Sequence, residues 1–128
     1  MASGKTDTYE NSIINHFLRG SSQTATSGYL ALYSVAPGES SSGTELTGNG
    51  YARIAVGLGA PSAGVATNTG TITFTASGGA WSAIVGHSIC NASSAGDILM
   101  YEDSVSGPTL SDGDSYEFDA ADVTVTET

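Results

Sequence analysis

Several groups of residues in this 128-residue chain carry side chains whose type and spacing could support chemistry. His87 and Cys90, with Asp97 close behind, contain a potential nucleophile and its base. A thiol is activated when a histidine stands within hydrogen-bonding reach. Residues three apart on a strand point to opposite faces, however, so His87 and Cys90 would not meet. Neither lies in a glycine-rich nucleophile turn, and His87 reads as a core or interface histidine. His16 stands off the main apolar stripe of its helix with no metal partner in sight. Asp112-Gly113-Asp114, followed by Asp119 and Asp122, supplies the calcium candidates Asp112, Asp114 and Asp119. Calcium takes about six to eight oxygen ligands from closely spaced groups. The spacing fits no EF-hand loop, and Asp and Gly are also what tight turns require. Turn chemistry is the stronger reading, and no metal is expected. Glu102 with Asp103, or Glu117 with Asp119, could be paired as glycosidase carboxylates. The second pair would share a strand face roughly 7 Å apart. Such a reaction also needs a deep substrate cleft, which a chain of this size with one Trp scarcely offers. No catalytic residue and no cofactor are expected, so the chain reads as a non-enzyme.

The elements that must carry these residues are short. Positions 8–19 form the one credible helix, with Tyr9, Ile13, Ile14, Phe17 and Leu18 on an apolar stripe. Asp7 or Thr8 suits its start and Gly20 its end. Twelve residues are marginal alone. The stripe therefore either covers one end or face of its own fold or packs on a neighbour. Tyr29-Leu30-Ala31-Leu32-Tyr33 is apolar on both faces, as in a strand covered on each side. Ala36-Pro37-Gly38 stops it, and Glu39 to Asn49 is polar enough to read as a solvated loop. Tyr51 to Val56 re-enters as a strand. Thr71 to Thr75 alternates, with Ile72 and Phe74 inward. Ile84 to Asn91, Ile98 to Glu102, Tyr116 to Phe118 and Val123 to Thr126 read as further strands. Seven or eight short strands with regular turn signals predict a single antiparallel β-sandwich with an N-terminal amphipathic helix. The expected organisation is one domain over 1–128, with an arm at 1–7, the helix at 8–19 and the sandwich at 28–128.

Thirteen acids face three bases, for a formal charge of −10. Phosphate binding depends on Lys and Arg, and only Lys5, Arg19 and Arg53 are present. Nucleic acid and anionic membranes are therefore excluded as expected partners. The chain lacks a signal-peptide core and any run long enough to cross a bilayer, so it is expected to be made in a cytoplasm and to stay soluble. Cys90 stands alone and cannot form an intrachain disulfide. No charged residue occurs from Ile54 through Gly96. Such a tract is either the Thr/Gly-rich middle of a sandwich or the contact surface of a subunit or shell, because interface cores are depleted in charge. Arg53 also has two readings. It pairs with an acid over Tyr51, or it protrudes as a salt bridge to a neighbour.

One block of residues carries a family likeness. Leu30-Ala31-Leu32-Tyr33, Ala36-Pro37-Gly38, a Gly/Ser/Thr/Glu loop, then Gly48-Asn49-Gly50-Tyr51-Ala52-Arg53 resembles a family of short tailed-phage virion proteins. The resemblance continues through Thr71 to Phe74, Trp81, His87 to Ile89 and Gly96 to Leu99, and it ends in Asp112 to Val125. Members are variously labelled tail-fibre, minor tail or capsid cement (decoration) proteins. The resemblance implies a virion building part with no catalytic set. The expected role is a cement protein on the capsid exterior, bound to copies of itself and to the major capsid protein. The alternative is a tail-fibre or minor tail component bound to tail proteins. A carbohydrate-binding module with Trp81 and tyrosines as its platform is a third reading. The interface candidates are Ile13, Ile14, Phe17, Arg53 and Trp81.

Overall fold

The computed structural model describes residues 4–127. Of the expected arm at 1–7, residues 1–3 lie outside the described residues, and the rest is not loose. Gly4–Lys5 forms a short strand, β1, and Thr6 caps the helix α1, Asp7–Phe17. The Thr6 hydroxyl accepts from the Tyr9 N–H at 3.3 Å, so the cap is Thr6 rather than Asp7 or Thr8. The same hydroxyl donates to the Ile98 carbonyl and thereby anchors the head of the helix. At the other end the chain leaves α1 through Gly20, whose φ of +71° suits glycine.

Nine further strands follow: β2 Tyr29–Val35, β3 Thr44–Glu45, β4 Ile54–Ala55, β5 Val65–Thr67, β6 Ile72–Thr75, β7 Gly86–Cys90, β8 Ile98–Glu102, β9 Ser115–Phe118 and β10 Thr124–Thr126. All pairings are antiparallel. The ten strands exceed the seven or eight expected chiefly through β1 and β3, which have only two residues each, too short to leave a period-2 signal. The main sheet runs β1-β8-β7-β2-β3, and β4 joins the same side of β2 as β3, further along it. Opposite it stand two small sheets, β6 with β9 and β5 with β10.

β2 is covered on both faces, as its composition dictates. Leu30 and Leu32 face inward with Ile89 and join Ile72, Phe74, Trp81, Ile84, Leu110 and Val123 in the main core. On the outer face Ala31, Tyr33 and Cys90 form a smaller buried cluster against Ile98. β6 is buried at Ile72 and Phe74 and exposed at Thr73 and Thr75, the alternation expected of it. Two expectations need correction. The stretch 39–49 is no simple solvated loop, since Thr44 and Glu45 pair with β2 and Leu46 is buried. The strand expected at 51–56 shrinks to Ile54–Ala55, because the Tyr51 hydroxyl accepts from the Leu32 N–H where a strand backbone would have paired. The uncharged tract supplies Val56, Ile72, Phe74, Ala76, Trp81, Ile84 and Ile89 to the core, which accounts for its lack of charge.

Candidate functional site

The helix stripe expected from sequence is split by the structure. Positions Tyr9 and Ile13 are half-buried, whereas Ile14, Phe17 and Leu18 are 48, 74 and 79 % exposed. The reason is geometric. At about 100° per residue the five residues span half of the helix circumference, wider than one docking face. α1 packs on the main sheet chiefly along β8, and none of its residues is fully buried. Its outward side therefore ends in a contiguous apolar surface. The opposite end of that side is acidic: carboxylate oxygens of Asp7, Glu10 and Glu39 lie within 4.8 Å of one another, all on exposed residues. The His16 ring meets Phe17 edge-on at 4.7 Å.

Arg53 follows the paired reading and, as an interface candidate, is corrected. Its Nε and Nη2 donate to the two oxygens of Glu45 at 2.8 and 2.7 Å. Its Nη1 donates to the carbonyls of Ala92 and Ala95. The side chain is only 9 % exposed, so its charge is consumed inside the fold. Burial disfavours ionised Glu45, but the hydrogen bonds from Arg53 and Tyr51 and the Arg53 charge outweigh this and hold its pKa below 4.5. The guanidinium pKa is raised mainly by the same bonds. Arg53 thus clamps the turn at 91–97 over the outer face of β2. A shallow groove of about 340 Å³ opens beside it, lined by Glu45, Leu46, Tyr51, Ala52, Ser93 and Ser94.

Trp81 is corrected in the same way. It is 3 % exposed, its Nε1 donates to the Asn49 carbonyl, and its ring meets Tyr51 edge-on. Such a side chain has no surface to offer a neighbour or a sugar. The calcium candidates are engaged in turns. Asp112 accepts from the Gly78 N–H, Asp114 from the Ser111 N–H, and the Asp119 N–H donates to Asp122. Asp112, Asp114 and Asp119 are not drawn into one ligand set.

His87 and Cys90 lie on opposite faces of β7, as strand alternation requires. His87 bridges the layers, with Nδ1 3.3 Å from a Glu102 oxygen and Nε2 2.9 Å from the Tyr116 hydroxyl. A neutral ring satisfies both contacts if Nδ1–H donates to Glu102 and Tyr116 donates to Nε2. Burial lowers the His87 pKa against the opposing pull of Glu102. Asn68 escaped sequence reasoning altogether. Fully buried, it donates to the Gly70 and Asp119 carbonyls and accepts from the Val123 N–H. A lone Asn in a Gly/Ala/Ser tract gives no periodic signal that could have marked it.

The polar side chains thus hold the fold, and among the described residues the exposed large hydrophobics gather on α1 at Ile14, Phe17 and Leu18, while Val35 and Leu58 stand singly. Among the described residues no helix is long and apolar enough to cross a membrane. No curated protein matches the chain. Residues 4–126, nearly its whole length, match the family described as Podophage GP4 fiber I protein gp80, and the chain belongs to that family of phage virion structural proteins.

Proposed function

We propose that this chain is a non-enzymatic docking part of the virion, placed at the tail fibres and held to a neighbouring protein through the outward side of α1. The family description, which names a fibre protein, supports the fibre placement. The observation that carries the docking role is the exposure of Ile14, Phe17 and Leu18 on a helix that its own sheet touches on one side only. Burying a side chain such as Phe or Leu is worth about 1.5–3 kcal/mol, so covering this surface adds stability only to the assembled particle. The polar groups that might have suggested chemistry are engaged in hydrogen bonds that hold turns and layers together, which supports the non-enzymatic reading.

The second reading is a cement protein on the capsid exterior. The formal charge of −10 favours it, since such a surface is repelled by packaged nucleic acid and suits the outside of a shell. Locating the chain in intact virions by gold-labelled antibody, with its copy number from quantitative mass spectrometry, separates the two. A handful of copies at the tail is expected. Hundreds of copies over the capsid would replace the fibre placement with the cement role, and absence from purified virions would defeat both.

A further inference from the structure

We infer that the outward side of α1 receives an apolar segment bearing lysine or arginine from a different virion protein, rather than a second copy of this chain. The inference names a partner for the docking surface proposed above and rests on that reading. Asp7, Glu10, Ile14 and Phe17 follow one another at i, i+3, i+7 and i+10, so at about 100° per residue they form one stripe along the helix. Leu18 widens its lower end. The stripe is acidic at its head, where Asp7 and Glu10 meet Glu39, and apolar at its foot. Like charges held this close raise one another's energy, and an arriving ammonium or guanidinium relieves the repulsion. A wholly apolar partner would cover the foot and leave the head with Lys5, already bound to Glu127, as its one nearby cation.

A second copy brings little positive charge. The chain contains three Lys and Arg residues in all. Lys5 is held by Glu127 at 2.9 Å. Arg53 is turned inward onto Glu45. Arg19 is exposed and donates to the neutral Asn15 amide at 2.8 Å, so it is the one cation a second copy could offer. Parallel pairing of two such helices would set acids against acids. Antiparallel pairing would bring a single Arg19 toward the three carboxylates of each facing head, too little to balance them. The overall charge of −10 adds repulsion between copies at longer range. The occupant that answers both ends of the stripe is amphipathic, with apolar anchors for Ile14, Phe17 and Leu18 and a cation one or two helical turns away.

The test uses the full chain and a synthetic leucine–lysine peptide of about 18 residues, long enough to be helical when bound. Binding is followed by fluorescence anisotropy, with a leucine–glutamate peptide of the same pattern alongside. The lysine peptide is expected to bind and the glutamate peptide not. Phe17→Ser should weaken binding about tenfold or more. Glu10→Gln with Glu39→Gln should weaken it roughly three- to tenfold and flatten its salt dependence. Asp112→Asn with Glu117→Gln makes the same change in net charge beside the β6–β9 pair and should leave binding unchanged. All altered residues are exposed, and thermal melts confirm that each variant is folded. The inference is overturned if the lysine peptide fails to bind, if the distant pair weakens binding as much as the α1 pair, or if Phe17→Ser has no effect. It is equally overturned if sedimentation equilibrium shows a dimer that Phe17→Ser dissociates. These outcomes concern the partner's chemistry alone, whereas absence from virions would defeat the docking role itself.

Discussion

Replacing Arg53 by Ala removes the clamp over the outer face of β2. Four hydrogen bonds of 2.7–2.8 Å are lost, two to the Glu45 carboxylate and two to the carbonyls of Ala92 and Ala95. The Glu45 side chain is 25 % exposed, so water screens it and the ion pair itself is worth roughly 1 kcal/mol. Each carbonyl bond contributes about 1 kcal/mol after water takes its place at the rim. The expected loss is therefore about 3 kcal/mol, a fall in Tm of roughly 10 °C for a chain of this length. Arg53→Lys keeps the charge but not the fork and should recover no more than about half. Urea denaturation gives the stability, and hydrogen exchange should show faster opening at 91–97 while the β6–β9 pair is unchanged. Glu45 has a depressed pKa, so its contribution is present above 4.5 and is lost as pH falls through the folded value. The gap between wild type and Arg53→Ala should narrow accordingly in acid. A loss below about 0.5 kcal/mol, or a lysine variant as stable as wild type, would show that the fork does not hold the turn.

Asn68→Ala removes three hydrogen bonds from a fully buried site and should cost about 3 kcal/mol in urea denaturation; a loss under about 1 kcal/mol would refute the staple. His87 has a lowered pKa, so the unfolded chain takes up its proton first and stability should fall as pH drops below 6.5, levelling off below the folded value. A His87→Gln variant should lack that limb, and an identical pH profile would count against the assignment. Gly43→Ala should destabilise by more than about 2 kcal/mol, because φ is +59° and the added Cβ would lie 2.4 Å from the Val35 carbonyl oxygen. A thermal melt within a degree or two of wild type would refute it.

The residues that organise the fold by local pattern were legible in the chain itself. Strand alternation set Ile72 and Phe74 against Thr73 and Thr75, and a doubly apolar run placed Tyr29 to Tyr33 at the centre of a sheet. The same alternation kept His87 from Cys90, and the Asp–Gly pairs announced turns rather than a metal loop. The family followed from the order of such fold-defining residues along nearly the whole length. Contacts between distant segments left no periodic trace. Whether Arg53 reached a neighbour or Glu45 depended on where the 44–45 and 91–97 segments came to rest, and Asn68 acquired its role only when residues 119 and 123 arrived beside it. The α1 stripe shows the same division most plainly. Composition and spacing determined that an amphipathic helix forms, but its five apolar residues span half the cylinder, and one strand edge can cover only part of that. Tertiary packing alone decided that Ile13 turns toward the fold while Ile14, Phe17 and Leu18 stay exposed.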